Sequence, residues 1–283
     1  MAIRDTSTHA IPHGASPPPD RLIVSKLARA SKVGLVSVAQ AAAALDTSSR
    51  NAALKLASLT RRGWMRRARR SLYLVLPLEA EPGRPAVAED PWVLAREAFS
   101  PCYIGGWSAA EYWGLTEQIF RSILVVTAAN VRSKTVDLLG SEFRLFQVPE
   151  GRVAGATKVW RGSEQVLVSS RERTLADCLR NPELCGGIRT LFQMLREYVT
   201  GPEFNRENLL DDLRRFGNGA AWKRFGYLME VARPEDRELF VTANSNLSAG
   251  NVKLDPSIAG RGRLLRRWRL WVNVHLTSKA DET

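Results

Sequence analysis

The chain has little of what disulfide-built, metal-dependent or membrane proteins rest on. Its 283 residues include three cysteines, Cys102, Cys178 and Cys185, and three histidines, His9, His13 and His275. An odd, sparse set of cysteines without metal-ligand spacing argues against a disulfide framework and against zinc, and the histidines are too scattered for a metal site. No metal and no cofactor is expected. No apolar run is long enough to span a bilayer, so no membrane partner is expected. Residues 1–20 lack the apolar core of a signal peptide. They are polar, run into Pro17-Pro18-Pro19, and read as a disordered lead-in. The expected location is the cytoplasm, in association with the nucleoid.

Catalytic signatures are missing as well. A nucleotidyltransferase needs Gly-Ser followed by an Asp-x-Asp pair to hold magnesium. Gly140-Ser141 and Gly162-Ser163 are present, but Asp-x-Asp is not. A metal-dependent nuclease of the Asp…Glu-x-Lys kind lacks its Glu-x-Lys. Neither Gly-x-Ser-x-Gly nor a P-loop occurs. Glu172 and Asp177 are expected in salt bridges with Arg171 or Arg173. No residue is read as catalytic.

One absence is local. Residues 47–75 contain no Asp or Glu, yet hold Arg50, Lys55, Arg61, Arg62, Arg66, Arg67, Arg69 and Arg70. Up to Leu76 there are 13 basic residues against Asp5, Asp20 and Asp46, a net +10 out of +12 for the whole chain. A small domain this unbalanced is an electrostatic footprint for phosphates. Ala52, Leu56, Leu59 and Gly63 recur at steps of four and three, so they share one helical face. Thr47 or Ser48 caps that helix, and Gly63 ends it. Trp64-Met65 and Leu72 to Val75 read as extended runs with arginines between them. Upstream, residues 21–31 fit a first helix and Leu35-Val36 a short strand. Ser37 and Gln40 form a capping box for a second helix over 39–45. Helix, strand, helix, turn, helix, hairpin is the order of a winged helix-turn-helix, expected over 21–76.

Residues 77–89, with Pro77, Pro82, Gly83 and Pro85, read as a linker. Residues 90–283 then form a larger mixed α and β domain, making the chain α+β. Asp90-Pro91 opens a helix. Ser108 and Glu111 are spaced as a capping box. Strands are expected at 122–127, 143–148 and 166–168, and a helix after Ser169-Ser170. Further helices are expected over 187–200, 206–216 and 220–232, with closing strands at 239–241 and 268–276.

Several phrases together resemble the AbiEi family of antitoxins and autorepressors of type IV toxin–antitoxin systems. They are LASLTRRGWMRRARRSLYLV, GWSAAEYWGL, SSRERTLADCL, AWKRFGYLMEV and LDPS followed by RWRLWVNV. The likeness runs from about Val24 to Val274. It implies an N-terminal domain that binds inverted repeats of its own operator. It also implies a C-terminal domain that counters a nucleotidyltransferase-like toxin, without requiring direct contact with it. Family wings often carry a glycine at the hairpin tip, where this chain has Arg67-Ala68-Arg69-Arg70-Ser71. An operon repressor whose larger domain binds a small ligand fits the same sequence, and a nucleic-acid-processing enzyme fits it less well.

On the winged-helix reading, the start of the recognition helix meets base edges. Ser48, Ser49, Arg50 and Asn51 are therefore the readout candidates. Arg can fork onto guanine and Asn onto adenine. Ser48 and Ser49 serve equally as caps or phosphate contacts, and Asn51 equally as a solvated helix residue. Lys55 is expected on phosphate. Arg66, Arg67, Arg69 and Arg70 are expected on backbone or in the minor groove. Arg61 and Arg62 also fit as partners of the helix dipole. A second basic run is Arg261, Arg263, Arg266, Arg267 and Arg269. Alternation there buries Trp268, Leu270, Val272 and Val274. It leaves Arg267, Arg269, Asn273 and His275 on the other face with Trp271, suited to nucleic acid or an acidic partner, or simply solvated.

Overall fold

The computed structural model describes residues 19–31, 34–76 and 90–276. The expected lead-in, apart from its last two residues, and the expected linker lie outside them. The chain divides into two compact units, Met1–Ala86 and Val87–Thr283.

The first unit runs α1 (Pro19–Ala30), β1 (Leu35–Ser37), α2 (Val38–Ala44), α3 (Ser49–Arg61), β2 (Met65–Arg69) and β3 (Leu72–Val75). Its sheet has the order β1-β3-β2, antiparallel throughout. Helix α1 starts before the expected Arg21, because Pro19 and Asp20 suit a first turn. At α2, the Ser37 N–H donates to Gln40 Oε1 at 2.7 Å and Ser37 Oγ accepts from the Gln40 N–H at 3.2 Å. At α3, Ser48 Oγ accepts from the Asn51 N–H, and Gly63 lies just beyond the end with φ +79°. The apolar stripe Ala52, Leu56 and Leu59 is fully buried against Val24, Leu27, Val36, Met65 and Tyr73. Each Leu buried there is worth roughly 1.5–3 kcal/mol, so the unit has a core of its own.

The second unit is larger. It runs α4 (Pro91–Phe99), β4 (Cys102–Ile104), α5 (Gly106–Tyr112), β5 (Ile123–Thr127), β6 (Thr135–Leu138), β7 (Ser141–Gln147), β8 (Thr157–Arg161), β9 (Glu164–Val168) and α6 (Arg171–Arg180). It continues with α7 (Ile188–Thr200), α8 (Arg206–Phe216), α9 (Gly219–Ala232), α10 (Arg237–Ser245), β10 (Val252–Lys253), β11 (Arg263–Leu265) and β12 (Leu270–Val272). A six-stranded mixed sheet has the order β6-β7-β5-β4-β9-β8, and a small one has β10-β12-β11. The fold class is α+β. Among the described residues no helix is long and apolar enough to cross a membrane.

Three expectations fail in this unit. Residues 239–241 lie in α10, not in a strand. Asp236 caps that helix by accepting the Leu239 N–H, and Leu239, Phe240 and Ala243 are buried at helical spacing while Val241 is 70% exposed. A strand would have buried Leu239 and Val241 together. Ser108 does not cap α5, which starts at Gly106. Its hydroxyl is buried and accepts the Leu124 N–H at 2.9 Å, joining the helix to β5. Residues 268–276 are not one strand. A 3-10 turn over Arg266–Trp268 and a left-handed Arg269 (φ +52°) precede the three residues of β12. The expected burial of Trp268, Leu270 and Val274 nevertheless holds, whereas Val272 is only half-buried.

Candidate nucleic-acid interface

In the first unit the described residues carry 11 Lys or Arg against Asp20 and Asp46. Asp20 is taken by an ion pair with Arg62, which ties the start of α1 to the end of α3. Arg50, Arg66, Arg67 and Arg70 are exposed, and among the described residues none of them is in a salt bridge with an acidic side chain. Among the described residues, their charge therefore lacks an acidic partner.

Helix geometry sorts the candidates on α3. Buried Ala52, Leu56 and Leu59 define the inner face. At 100° per residue, Arg50, Leu54, Ala57 and Arg61 fall on the side directly opposite. Asn51 and Lys55 lie on a flank. There, with Thr47 and Leu45, they line a groove of about 560 Å³ against Leu22, Ile23 and Lys26 of α1. Ser48 is committed as the cap, and Ser49 is exposed beside it in the first turn.

The hairpin is longer than expected. β2 continues beyond Trp64-Met65 through Arg66, Arg67 and Arg69, because β3 offers a full row of partners. Met65 pairs with Val75 and Arg67 with Tyr73. A bulge at Ala68 then sets Arg69 opposite Leu72. The extra residue moves Arg69 to the face that carries Arg66, so the arginines project from both sides of the ribbon. The tip is Arg70-Ser71, with Ser71 taking the left-handed conformation (φ +63°) that a tip glycine would take at no cost.

The second basic run is dispersed. Arg267 pairs with Glu230, which also accepts the Trp268 indole N–H. The Arg269 guanidinium donates to the Ser248 carbonyl at 2.8 Å. Asn273 is an internal strut, donating to the carbonyl of Asp255 at 2.8 Å. Arg263 lies in β11 and Arg266 in the 3-10 turn, while Arg261 lies 5.7 Å from the Trp271 ring. Arg261, Arg263, Arg266 and His275 are exposed, but the expected single arginine face beside Trp271 does not form.

The polar residues of the SSRERTLAD phrase are structural. Asp177 accepts from Arg173 Nε at 2.7 Å, the Tyr103 hydroxyl at 2.7 Å and Arg152 Nη2 at 3.2 Å. Glu172 accepts the Tyr198 hydroxyl at 2.6 Å, so its partner is a tyrosine, not the expected arginine. Arg173 is 1% exposed, its guanidinium lies over the Phe216 ring, and its Nη1 has no hydrogen-bond partner among the described residues. Burial pushes the Tyr103 phenol above its ordinary range. Burial likewise pushes the Asp212 carboxyl up to about 6, against the pull of Arg173. The expected bridge between Asp177 and Arg173 forms, but sequence reasoning gave no sign of its burial or of Tyr103, Arg152 and Asp212 beside it. Among the described residues no group of His, Cys, Asp and Glu is gathered as metal ligands would be.

No family model and no curated protein matches the chain. Among solved structures it is similar to the RV2827C protein from Mycobacterium tuberculosis. That likeness has 19% identity and a TM-score of 0.57, over 88% of this chain and 89% of that one. At this identity it speaks for a shared α+β fold.

Proposed function

We propose that the first unit is a winged helix-turn-helix that binds duplex DNA in a sequence-specific way, with α3 as recognition helix and the β2–β3 hairpin as wing. The observation that carries this is the pairing of two exposed basic elements, α3 and the hairpin, in a unit with 11 described cations and two described acids. Arginines crowded onto neighbouring elements repel one another, and a phosphate backbone relieves that repulsion. Together with the AbiEi resemblance, this gives an autorepressor and antitoxin of a type IV toxin–antitoxin system. Its functional partner is a nucleotidyltransferase-like toxin, and no catalytic residue takes part in this reading. It acts in the cytoplasm, on operator DNA.

The test is salt-dependent binding of the full chain to duplex DNA. If four to six phosphates are neutralised, log K falls with log salt at a slope of about −4 to −5. Changing Arg66, Arg67, Arg69 and Arg70 to Ala weakens operator and scrambled duplex alike, and flattens the slope by about 1 for each lost contact. Arg50→Ala, by contrast, lowers affinity for operator by roughly 1–3 kcal/mol and hardly touches scrambled duplex. A slope near zero in the unaltered protein rules the reading out.

A further inference from the structure

The centre of the outer face of α3 is apolar. Leu54 is 64% exposed, although the other apolar residues of this helix are buried or small. Ala53 and Ala57 flank it, with Arg50 one turn before and Arg61 two turns after. Arg50, Leu54, Ala57 and Arg61 fall within an arc of roughly 60° at 100° per residue. The middle of the most solvent-facing stripe therefore carries a branched aliphatic group bracketed by two cations.

Two occupants suit an aliphatic group in that setting. A second copy of the same stripe would bring Arg50 and Arg61 against their own kind, and like charges facing each other oppose that contact. The DNA major groove offers negative potential for the arginines. Every thymine in it also carries a C5-methyl group, the one apolar projection on the base edges. We infer that Leu54 is a specificity-determining residue that reads a thymine methyl, supported by Ala53 and Ala57, which are small enough to let the helix approach. This rests on the DNA-binding reading above. The rise of 1.5 Å per residue sets Leu54 about 6 Å along the axis from Arg50. The thymine is therefore expected within about two base pairs of the guanine that Arg50 holds.

Uracil pairs as thymine does and differs only by that methyl, which makes the test direct. Full-length protein selects its site from a randomised duplex pool. The enriched duplex is then made with deoxyuridine at one thymine at a time. At one position the unaltered protein is expected to lose about four-fold in affinity, the worth of one methyl-sized apolar group leaving water. Leu54→Ala and Leu54→Gln are expected to bind the thymine and uracil forms equally, with unchanged circular dichroism because the position is exposed. Arg50→Ala is expected to keep the four-fold ratio.

Indifference of the unaltered protein to uracil at every position, or an enriched site without thymine, overturns the inference and leaves the DNA reading standing. A four-fold ratio that survives in both Leu54 variants also overturns it, because the methyl is then read elsewhere. Failure to enrich or retain any duplex at low salt removes the DNA reading and the inference with it.

Discussion

Replacing Asp177 should cost the larger unit far more than replacing Arg173, although the two side chains form one ion pair. In Asp177→Asn the shape is kept and the charge is lost. Arg173, 1% exposed, then loses its hydrogen-bonded counter-charge and keeps only the unbonded Asp212, while Arg152 lies close enough to add repulsion. Breaking a buried pair in this way costs about 3–5 kcal/mol. In Arg173→Met the surviving partner is not stranded. Asp177 keeps the Tyr103 hydroxyl at 2.7 Å and Arg152 Nη2 at 3.2 Å. The change also removes the Nη1 that has no partner, itself a burden of about 1–3 kcal/mol. Two bonds of Nη2 are lost, to Tyr103 Oη and the Arg152 carbonyl, while a thioether packs well on the Phe216 ring. The net loss should be about 1–2 kcal/mol. Urea unfolding followed by tryptophan fluorescence measures both, and the double variant should be more stable than Asp177→Asn alone. Equal costs for the two single changes, or a double variant worse than either, would refute this assignment of the charges.

Asp212→Asn should raise stability at neutral pH. Its carboxyl, pushed up to about 6 from 3.8, prefers the neutral form in the folded state. That preference is fully felt below about pH 4 and is lost as pH rises through about 6. For a half-buried group solvent screening leaves about 1 kcal/mol, or roughly 2–4 °C of melting temperature at pH 7 and no difference at pH 4. Calorimetry at the two pH values checks the sign, and a gain at pH 4 as large as at pH 7 would contradict it. Gly226→Ala should destabilise the second unit by about 1–3 kcal/mol or more, because an added Cβ would lie 2.1 Å from the Trp268 ring. An unchanged melting temperature would mean that the indole has room to move. Ser48→Ala should cost the first unit about 0.5–2 kcal/mol through the lost cap on the Asn51 N–H. Asn at position 48 should restore it, and a loss that Asn does not recover would point to another role for Ser48.

What the sequence made legible were features with a local cause. The Ser37–Gln40 box, the Asp90-Pro91 start and the stripe Ala52, Leu56, Leu59 each rest on residues within one or two helical turns. The strands β4, β6 and β8 escaped notice because they are short or polar, and their pairing partners are far along the chain. Residues 239–241 misled because their β-branched and aromatic content outweighed the Asp236 cap. At the candidate interface the charge was plain from composition. Which side of α3 each residue occupies depends on where the inner face lies, and Leu54, an aliphatic residue in a helix with a buried apolar stripe, reads as core until that face is located. The Arg173–Asp177 pair was legible from its spacing, but the burial of the arginines was not. Arg224, 3% exposed, donates to the carbonyls of Leu179, Arg180, Lys253 and Leu254, and nothing in its neighbours' identity announces this.

The seating of Trp268 has a consequence for synthesis of the chain. Its fully buried ring rests on Gly226, and Leu270 and Val274 belong to the same core as α6, α7 and α9. The larger unit therefore lacks part of its interior until the ribosome has delivered residues up to Val274. The basic unit has its own core, whose described members all lie at or before Val75. It can fold while the remainder is still being translated. A message cut short by a nonsense codon would then release the basic unit alone. On the DNA reading such fragments would occupy the operator without the larger unit.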